Sequence, residues 1–349
     1  MLTIDSMVHA IAPLHTEAMA TTAHRLDNLT KPLGSLGKLE KLAIQAAGVT
    51  GEVLPDLSHK AVIVMAGDHG VCAEGVSAFP QEVTAQMVYN FLEGGAAVNV
   101  LAKLAGAEVL CVDIGVDADL EHQQLVSCKV RRGTGNIAQG PAMSREEAEA
   151  AISIGFELAA NLAARGCRVI ATGEMGIGNT TPSAALLMAL TGLDAEQAVG
   201  RGTGINDEQL LHKRRVVERA LAVNAPDRDD PLGVLAAVGG LEIAGLTGVI
   251  LGAAAHRCLV VIDGFISSAA ALLAVRLCPV VHDYIVATHR SQERGHTLLL
   301  KELNLFPMLD LDMRLGEGTG AVLAFHLIDA SQCILREMAT FTSAGVSHN

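Results

Sequence analysis

The chain of 349 residues contains no tryptophan, only two tyrosines and only seven phenylalanines. Half of its residues are nevertheless apolar, and 35 are glycine. Small apolar residues allow helices to pack closely on a sheet. This composition therefore favours an α/β or helical fold over a β-sandwich.

Basic residues are also scarce. The chain has 25 lysines and arginines against 38 aspartates and glutamates, which gives a net charge of −13. Because no basic run is present, nucleic acid is not an expected partner. An acidic protein can still bind a small phosphate, since backbone N–H groups and one lysine are enough for that.

Paired cysteine motifs and long hydrophobic runs are missing as well. The seven cysteines are scattered without a C-x-x-C pair, which predicts reduced thiols and a cytoplasmic protein. The first residues show neither a basic segment nor a long apolar run, so no signal peptide is expected. The apolar stretch 246–255 ends at His256 and Arg257, before membrane-spanning length, and predicts a buried helix rather than membrane insertion.

Short apolar runs alternate with longer helical patterns from residue 60 onwards. Such runs, rich in β-branched residues, indicate strands of a parallel sheet buried on both faces. Strands are predicted within 60–70, 107–115, 167–174, 258–265 and 278–289. Helices are predicted at 79–106 and at 144–166, the latter opened by a capping box of Ser144 and Glu147. The alternation predicts an α/β fold with a parallel, doubly wound, Rossmann-like sheet flanked by helices.

Both ends of the chain have helical patterns, and no strand pattern is obvious in the last part of the sequence. We therefore expect a large α/β domain of residues 60–290. A small helical domain is expected to combine residues 1–59 with residues 291–349.

Polar residues directly follow several of the predicted strands. They are Asp68 with His69, Asp113, Glu174 and Asp263. Ligands of doubly wound sheets bind beyond the carboxyl ends of the strands, so these residues are candidates for a site. Asp68 and His69 suit a metal site or an acid–base pair, but no H-x-x-x-H motif completes a metal ligand set. A structural histidine that holds a loop is the alternative.

The stretch GEMGIGNTTPSAAL (173–186) is a candidate phosphate site. It joins a predicted strand to a helix whose start is marked by Thr180, Thr181 and Pro182. The glycine loop exposes backbone N–H groups at the positive end of the helix dipole, and Asn179 adds a donor. No Lys-Ser/Thr pair follows the last glycine, so an ATP-binding loop is disfavoured. A tight turn without a ligand is the alternative.

A second glycine-rich loop, GRGTG (200–204), precedes a predicted helix that carries Lys213. Lys213 either neutralises a phosphate or lies on a solvated helix face. The spacing favours neither.

The stretch MRLGEGTGA (313–321) places one carboxylate, Glu317, among glycines and before an apolar segment. A poorly solvated carboxylate has a raised pKa and is a good general base near neutral pH. A glutamate near a helix N-terminus is also an ordinary capping acid. The spacing alone does not separate these two roles.

Seven stretches carry a more specific signal: GSLGKLE, AGDHGV, EGVSAFPQEVTAQM, GEMGIGNTTPSAA, GGLEIAGLTGVILGAA, VVIDGF and MRLGEGTGA. In this order, and over nearly the whole chain, they resemble the nicotinate-nucleotide–dimethylbenzimidazole phosphoribosyltransferase family. The resemblance implies transfer of the phosphoribosyl group of nicotinate mononucleotide to 5,6-dimethylbenzimidazole. The products are α-ribazole 5′-phosphate and nicotinate, with inversion at the anomeric carbon.

The resemblance also implies a homodimer that acts on small molecules and uses neither a cofactor nor a metal ion. It places the catalytic base on Glu317, in the small helical domain, and a second catalytic role on Glu174. It assigns binding of the phosphoribosyl group and nicotinate to Gly176, Asn179, Thr180, Gly202, Lys213, Asp263 and Ser291. It assigns binding of the benzimidazole to Phe79, Met87 and Leu315.

The sequence departs from the family pattern around the predicted base pocket. Well-known enterobacterial members have serine where this chain has Phe79, and glutamine where it has Met87. Two positions that are polar in those members are thus apolar in this chain. Apolar side chains can pack against the face of a flat ring, but they form no hydrogen bonds with its polar edge. A related benzimidazole or a purine is therefore an alternative acceptor. Arg201 and Thr203 also differ from the family pattern near the predicted phosphate site.

Two alternatives from other function classes remain. A regulatory or inactive relative would bind a nucleotide without turnover, although Glu317, Glu174 and the Asn-Thr-Thr sequence are all present. A dinucleotide-dependent oxidoreductase would share the sheet type, but AGDHGV stands where its G-x-G-x-x-G motif would follow the first strand.

Overall fold

A computed structural model describes residues 3–347 of the chain. Its six strands form one parallel sheet in the order β3–β2–β1–β4–β5–β6. The strands are β1 (Lys60–Gly67), β2 (Glu108–Gly115), β3 (Val126–Ser127), β4 (Val169–Met175), β5 (Leu259–Ile262) and β6 (Ile285–Ala287). This is the doubly wound order that the sequence predicted, and the direction of winding changes between β1 and β4.

Helices cover both faces of the sheet and both ends of the described chain. They are α1 (Ile4–His9), α2 (Thr16–Asp27), α3 (Lys38–Thr50), α4 (Val83–Leu92), α5 (Ala97–Ala105), α6 (Arg145–Ala164), α7 (Thr180–Thr191), α8 (Ala195–Ala198), α9 (Asp207–Asn224), α10 (Pro231–Val238), α11 (Leu241–Ala255), α12 (Phe265–Leu277), α13 (Arg294–Glu302), α14 (Thr319–Glu337) and α15 (Phe341–Ala344). Short 3₁₀ helices lie at Gly70–Glu74 and Pro279–Tyr284.

Two local predictions need correction, and one short strand escaped prediction. The helix predicted at 79–106 is two helices, α4 and α5, because Gly94 takes a left-handed conformation (φ 75°) between them. The last predicted strand is confined to β6, since the segment that starts at Pro279 forms a 3₁₀ helix instead. Strand β3 was not predicted, because two residues are too few to show a pattern.

Other local predictions are confirmed. Helix α6 begins with the capping box, in which Ser144 N–H donates to Glu147 Oε2 at 2.8 Å and Glu147 N–H donates to Ser144 Oγ at 3.2 Å. The apolar stretch 246–255 belongs to α11, which is buried along almost its whole length. No helix in residues 3–347 has both the length and the apolar character needed to cross a bilayer.

The main core lies on both faces of the sheet, and every residue of β1 is buried. A separate small core joins the two ends of the chain: Leu26 and Leu29 near the end of α2, Ala43 of α3 and Leu335 of α14. Helix α14 therefore runs from the carboxyl edge of the sheet to this second core. The division into domains at residues 59/60 and 290/291 stays a prediction.

Candidate active site

A cavity of about 420 Å³ lies at the carboxyl ends of β4, β5 and β6. We call it the strand-end cavity. It collects most of the predicted site residues, although they come from distant parts of the chain. They are Phe79, Met87, Glu174, Gly176, Asn179, Thr180, Gly202, Ser291, Leu315 and Glu317. Lys213 and Asp263 lie behind the wall of this cavity rather than on it.

Glu317 is buried in the wall of the strand-end cavity. Its backbone has a positive φ of 65°, a conformation that a residue with a side chain adopts only under local constraint. Its Oε2 atom is buried without a hydrogen-bond partner among residues 3–347. Burial, assisted by the nearby negative charge of Asp263, raises the pKa of Glu317 to about 7. Its pKa thus lies within the range in which a carboxylate acts as a general base near neutral pH.

Asp263, at the end of β5, caps helix α14 in place of Glu317. Its Oδ2 atom accepts a hydrogen bond from Gly318 N–H at 3.0 Å. Its Oδ1 atom accepts from Gly320 N–H at 2.8 Å and from Ala321 N–H at 3.2 Å. The helix-capping alternative for Glu317 is therefore wrong, because another carboxylate satisfies these N–H groups. Asp263 fixes the backbone on either side of Thr319 and so positions Glu317, which directly precedes Gly318.

The stretches that carry Glu174 and Glu317 pack closely against each other at their glycines. A Cβ atom on Gly173 would lie 2.5 Å from the carbonyl oxygen of Glu317, and a Cβ atom on Gly316 would lie 2.5 Å from Glu174 Oε1. Both distances are too short for a side chain. The glycines thus allow the backbone of each acidic stretch to lie directly against the other stretch.

Glu174, in β4, is also buried. Burial, with the negative charges of Asp263 and Glu242, raises the pKa of Glu174 to about 8. Its Oε2 atom accepts a short hydrogen bond from the side-chain amide of Asn179. The pKa of Glu174 is thus raised further above its ordinary value than the pKa of Glu317.

Lys213, in α9, points inward, and its side chain is buried. Its ammonium donates to Thr180 Oγ1 at 2.6 Å. Burial lowers the pKa of Lys213 to about 8, against the opposing effect of Glu293. The solvated-face alternative is therefore wrong. The ammonium lies beside the first residue of α7, where the helix dipole also favours an anion.

Two buried contacts support the loop between β4 and α7. Ile177 N–H donates to Thr84 Oγ1 at 3.1 Å. His69 Nε2 lies 2.9 Å from Glu242 Oε1, and a Cβ atom on Gly176 would lie 3.1 Å from the same nitrogen. Burial alone would lower the pKa of His69, but the Glu242 carboxylate raises it overall. The histidine thus supports a loop, in agreement with the structural alternative for Asp68 and His69.

The side of the strand-end cavity that the resemblance assigns to the benzimidazole, which we call the acceptor side, is apolar where Phe79, Met87 and Leu315 line it. Phe79 exposes 53% and Leu315 57% of their surface, so both reach the mouth of the cavity. Among residues 3–347, no group of three or more histidine, cysteine, aspartate or glutamate side chains is arranged to hold a metal ion.

Sequence reasoning missed three ionisable residues that line the strand-end cavity. His289 lies two residues beyond the end of β6, so the rule that identified Asp263 at a strand end points to its neighbourhood. Glu293 is buried and lies near Lys213, and no sequence pattern marks it. Arg314 is exposed at the cavity and forms no ion pair within the described part of the chain.

Comparisons with known proteins agree with one another. A family model described as phosphoribosyltransferase matches residues 11–346. The nicotinate-nucleotide–dimethylbenzimidazole phosphoribosyltransferase of Geobacter sulfurreducens is 55% identical over 348 residues, 99% of each chain. The protein of the same name from Geotalea uraniireducens is 57% identical over 338 residues, 97% of this chain and 96% of the relative.

Solved structures give the same result. The crystal structure of CobT from Thermus thermophilus matches with a TM-score of 0.92 and 50% sequence identity. The match covers 95% of this chain and the whole of the other. A second structure from the same organism, described as the dimethylbenzimidazole phosphoribosyltransferase, has a TM-score of 0.90.

Proposed function

The chain belongs to the nicotinate-nucleotide–dimethylbenzimidazole phosphoribosyltransferase family, and we propose that Glu317 is the general base of its reaction. The donor is nicotinate mononucleotide, and the acceptor is 5,6-dimethylbenzimidazole or a related base. The observation that carries this proposal is the unpartnered carboxylate of Glu317 in the strand-end cavity, with a pKa near 7.

The chemistry needs one base and no acid. The bond between the ribose C1′ atom and the pyridinium nitrogen breaks, and its electron pair stays on nicotinate, which leaves with a neutral ring nitrogen. A benzimidazole nitrogen forms the new bond to C1′ from the opposite face, which inverts the anomeric carbon to α. The other ring nitrogen must then lose its proton, and the carboxylate of Glu317 accepts it. Alignment of the two substrates supplies much of the remaining acceleration.

The donor side of the strand-end cavity suits a phosphoribosyl group. The Lys213 ammonium, the Thr180 hydroxyl and the N-terminus of α7 supply positive charge and hydrogen-bond donors for the phosphate. The pKa of Glu174 is raised to about 8, and in its protonated form the O–H can donate to the ribose. Asp263 acts through Glu317 by fixing the start of α14 rather than by touching the substrate.

The function is tested by incubating the metal-free protein with nicotinate mononucleotide and a panel of benzimidazoles and purines, and by measuring nicotinate. We expect release that depends on the added base. Folded protein that releases nicotinate with none of the bases would refute the transferase and favour a nucleotide-binding regulator. The homodimer and the cytoplasmic location are further parts of this proposal, and the mass of the protein in solution tests the first.

The turnover rate is expected to have a bell-shaped dependence on pH. Glu317 accepts a proton only when it is deprotonated, so activity rises with pH through about 7. Lys213 binds phosphate only when it is protonated, so activity falls again above about 8. Initial rates between pH 5.5 and 9.5 measure both limbs. An acid limb that the Glu317→Gln variant retains unchanged would show that another group causes it.

Phe79 and Met87 are expected to set the preference among acceptor bases. The double variant Phe79→Ser with Met87→Gln replaces an apolar wall by polar groups, so bases with polar substituents gain relative to 5,6-dimethylbenzimidazole. Competition between pairs of bases measures the ratio of their kcat/KM values. The variant Val100→Ser, at an exposed apolar residue of α5, is the control. An unchanged ratio in the double variant would remove both residues from the specificity argument.

A further inference from the structure

A short wall, residues 77–79, separates the strand-end cavity from a second cavity of about 500 Å³. Ser77 and Phe79 line both cavities. The second cavity has a polar lining that includes Asp117, Arg132 and Thr134. The position of this wall therefore decides how much room the acceptor side offers and how polar that room is.

One side chain ties the wall to the 200–204 loop. Ala78 N–H donates to Thr203 Oγ1 at 3.0 Å, and the hydroxyl oxygens of Ser77 and Thr203 are 3.3 Å apart. Phe79 N–H in turn donates to Ser77 Oγ at 3.2 Å. The Thr203 hydroxyl thus contacts the wall at two points next to Phe79. Since Phe79 is half exposed, packing alone holds its ring weakly.

The same loop touches the donor side of the strand-end cavity. A Cβ atom on Gly202 would lie 2.7 Å from Thr180 Oγ1 and 3.1 Å from Lys213 Nζ. A phosphate bound by Lys213 and Thr180 would therefore lie close to the residue that precedes Thr203. A shift of the loop at Gly202 moves the threonine that holds the wall.

Two contacts of Arg201 brace the base of the loop. Arg201 donates to the carbonyl oxygen of Ile205 at 3.0 Å and forms an ion pair with Asp207. Both partners lie just beyond the loop, at the start of α9. The brace leaves Thr203 at the tip, facing the wall.

We propose that Thr203 is a positioning residue that holds Phe79 at the acceptor side from the loop that also touches the donor side. The inference rests on the proposed function, because it assigns the Phe79 side to the benzimidazole. Without the hydroxyl, the wall loses its link to the loop. The acceptor then loses an apolar contact, and the strand-end cavity opens towards the polar second cavity.

Thr203→Val removes the hydroxyl and keeps the shape of the side chain. We expect the KM for 5,6-dimethylbenzimidazole to rise about fivefold to tenfold, the usual effect of one or two net hydrogen bonds. The kcat and the KM for nicotinate mononucleotide should change less than about twofold, because Lys213 and Thr180 keep their contact. Thr203→Ser, which retains the hydroxyl, should restore the wild-type KM. Thr21→Val, at an exposed threonine of α2, is the matched control.

A second measurement separates this inference from the proposed function. Hydrogen exchange of the Ala78 amide should be faster in Thr203→Val than in the wild type, whether or not the protein turns over. Wild-type protein that releases no nicotinate would refute the proposed function. The exchange rate of the Ala78 amide would then still show whether Thr203 holds the wall. The role of Thr203 would be overturned by any one of three results in Thr203→Val: unchanged exchange of the Ala78 amide, an unchanged KM for the base, or an equal rise in both KM values.

Discussion

Glu317→Gln is expected to lower kcat by about two to four powers of ten, the usual contribution of a general base. The amide matches the carboxylate in shape but cannot accept the proton that the acceptor ring must lose. Because Glu317 Oε2 has no partner among the described residues, the substitution breaks no hydrogen bond of that atom. We therefore expect an unchanged melting temperature and little change in either KM. Steady-state kinetics and thermal unfolding measure these quantities.

Glu337→Gln is the matched control, since Glu337 is exposed at the other end of the same helix, α14. This variant should keep wild-type turnover. If Glu317→Gln also kept near wild-type turnover, the carboxylate of Glu317 would have no part in the chemistry. A large loss of stability in Glu317→Gln would instead point to a structural role that the contacts do not reveal.

Asp263→Ala is expected to have the second largest effect, and to act on stability and turnover together. Three buried N–H groups, of Gly318, Gly320 and Ala321, lose their acceptor. An unsatisfied buried donor costs about 1–3 kcal/mol, so we expect the free energy of unfolding to fall by at least about 3 kcal/mol. Turnover should fall as well, because the backbone that places Glu317 is no longer fixed. Urea unfolding and kcat measure the two effects.

A second capping aspartate provides the comparison. Asp194 caps the short helix α8 at the surface, where it accepts from Gln197 N–H at 2.8 Å. Asp194→Ala should cost only about 1 kcal/mol, the usual loss for an exposed cap, and should leave kcat unchanged. Equal losses of stability in the two variants would mean that the three buried bonds of Asp263 are not the reason for its effect.

Removing the charge of Asp263 should also move the acid limb of the pH profile. The negative charge of Asp263 contributes to the raised pKa of Glu317, after the larger effect of burial. Without this charge the pKa of Glu317 falls. The acid limb in the pH profile of Asp263→Ala should therefore lie at a lower pH than the acid limb of the wild type.

The sequence predicted the sheet because buried parallel strands leave a local signal, a run of apolar residues that ends in a glycine or an acid. The same local signal marked Glu174 and Asp263 at strand ends. It failed where the signal is short or interrupted. Strand β3 has only two residues, and Gly94 divides a continuous helical pattern into two helices.

The sequence could not exclude Glu317 as a helix cap, because the contact that excludes it joins residues far apart in the chain. Asp263 is 55 residues away from Gly318 in the sequence, yet its carboxylate caps the helix that Glu317 precedes. Until that contact is known, a capping acid and a general base look the same. The position of Lys213 is a similar case, because only the packing of α9 against α7 shows whether its ammonium faces solvent or Thr180.

Charged residues of the strand-end cavity also escaped the sequence analysis. Arg314 stands in the glycine-rich stretch 313–321, where only Glu317 drew attention, and Glu293 follows no strand directly and lies outside the glycine-rich loops. The resemblance drew attention to Phe79 and Met87, but not to the second cavity behind the wall. Cavities formed by several loops depend on tertiary contacts, which a single sequence does not display.

The most direct test of an inverting transfer from nicotinate mononucleotide to the base is proton NMR of one wild-type reaction, followed from nicotinate mononucleotide and 5,6-dimethylbenzimidazole to the end. We predict equal amounts of nicotinate and of a ribosyl benzimidazole 5′-phosphate whose anomeric proton shows the α configuration. A β product, or nicotinate formed together with free ribose 5-phosphate, would contradict direct attack by the base on the face opposite to nicotinate.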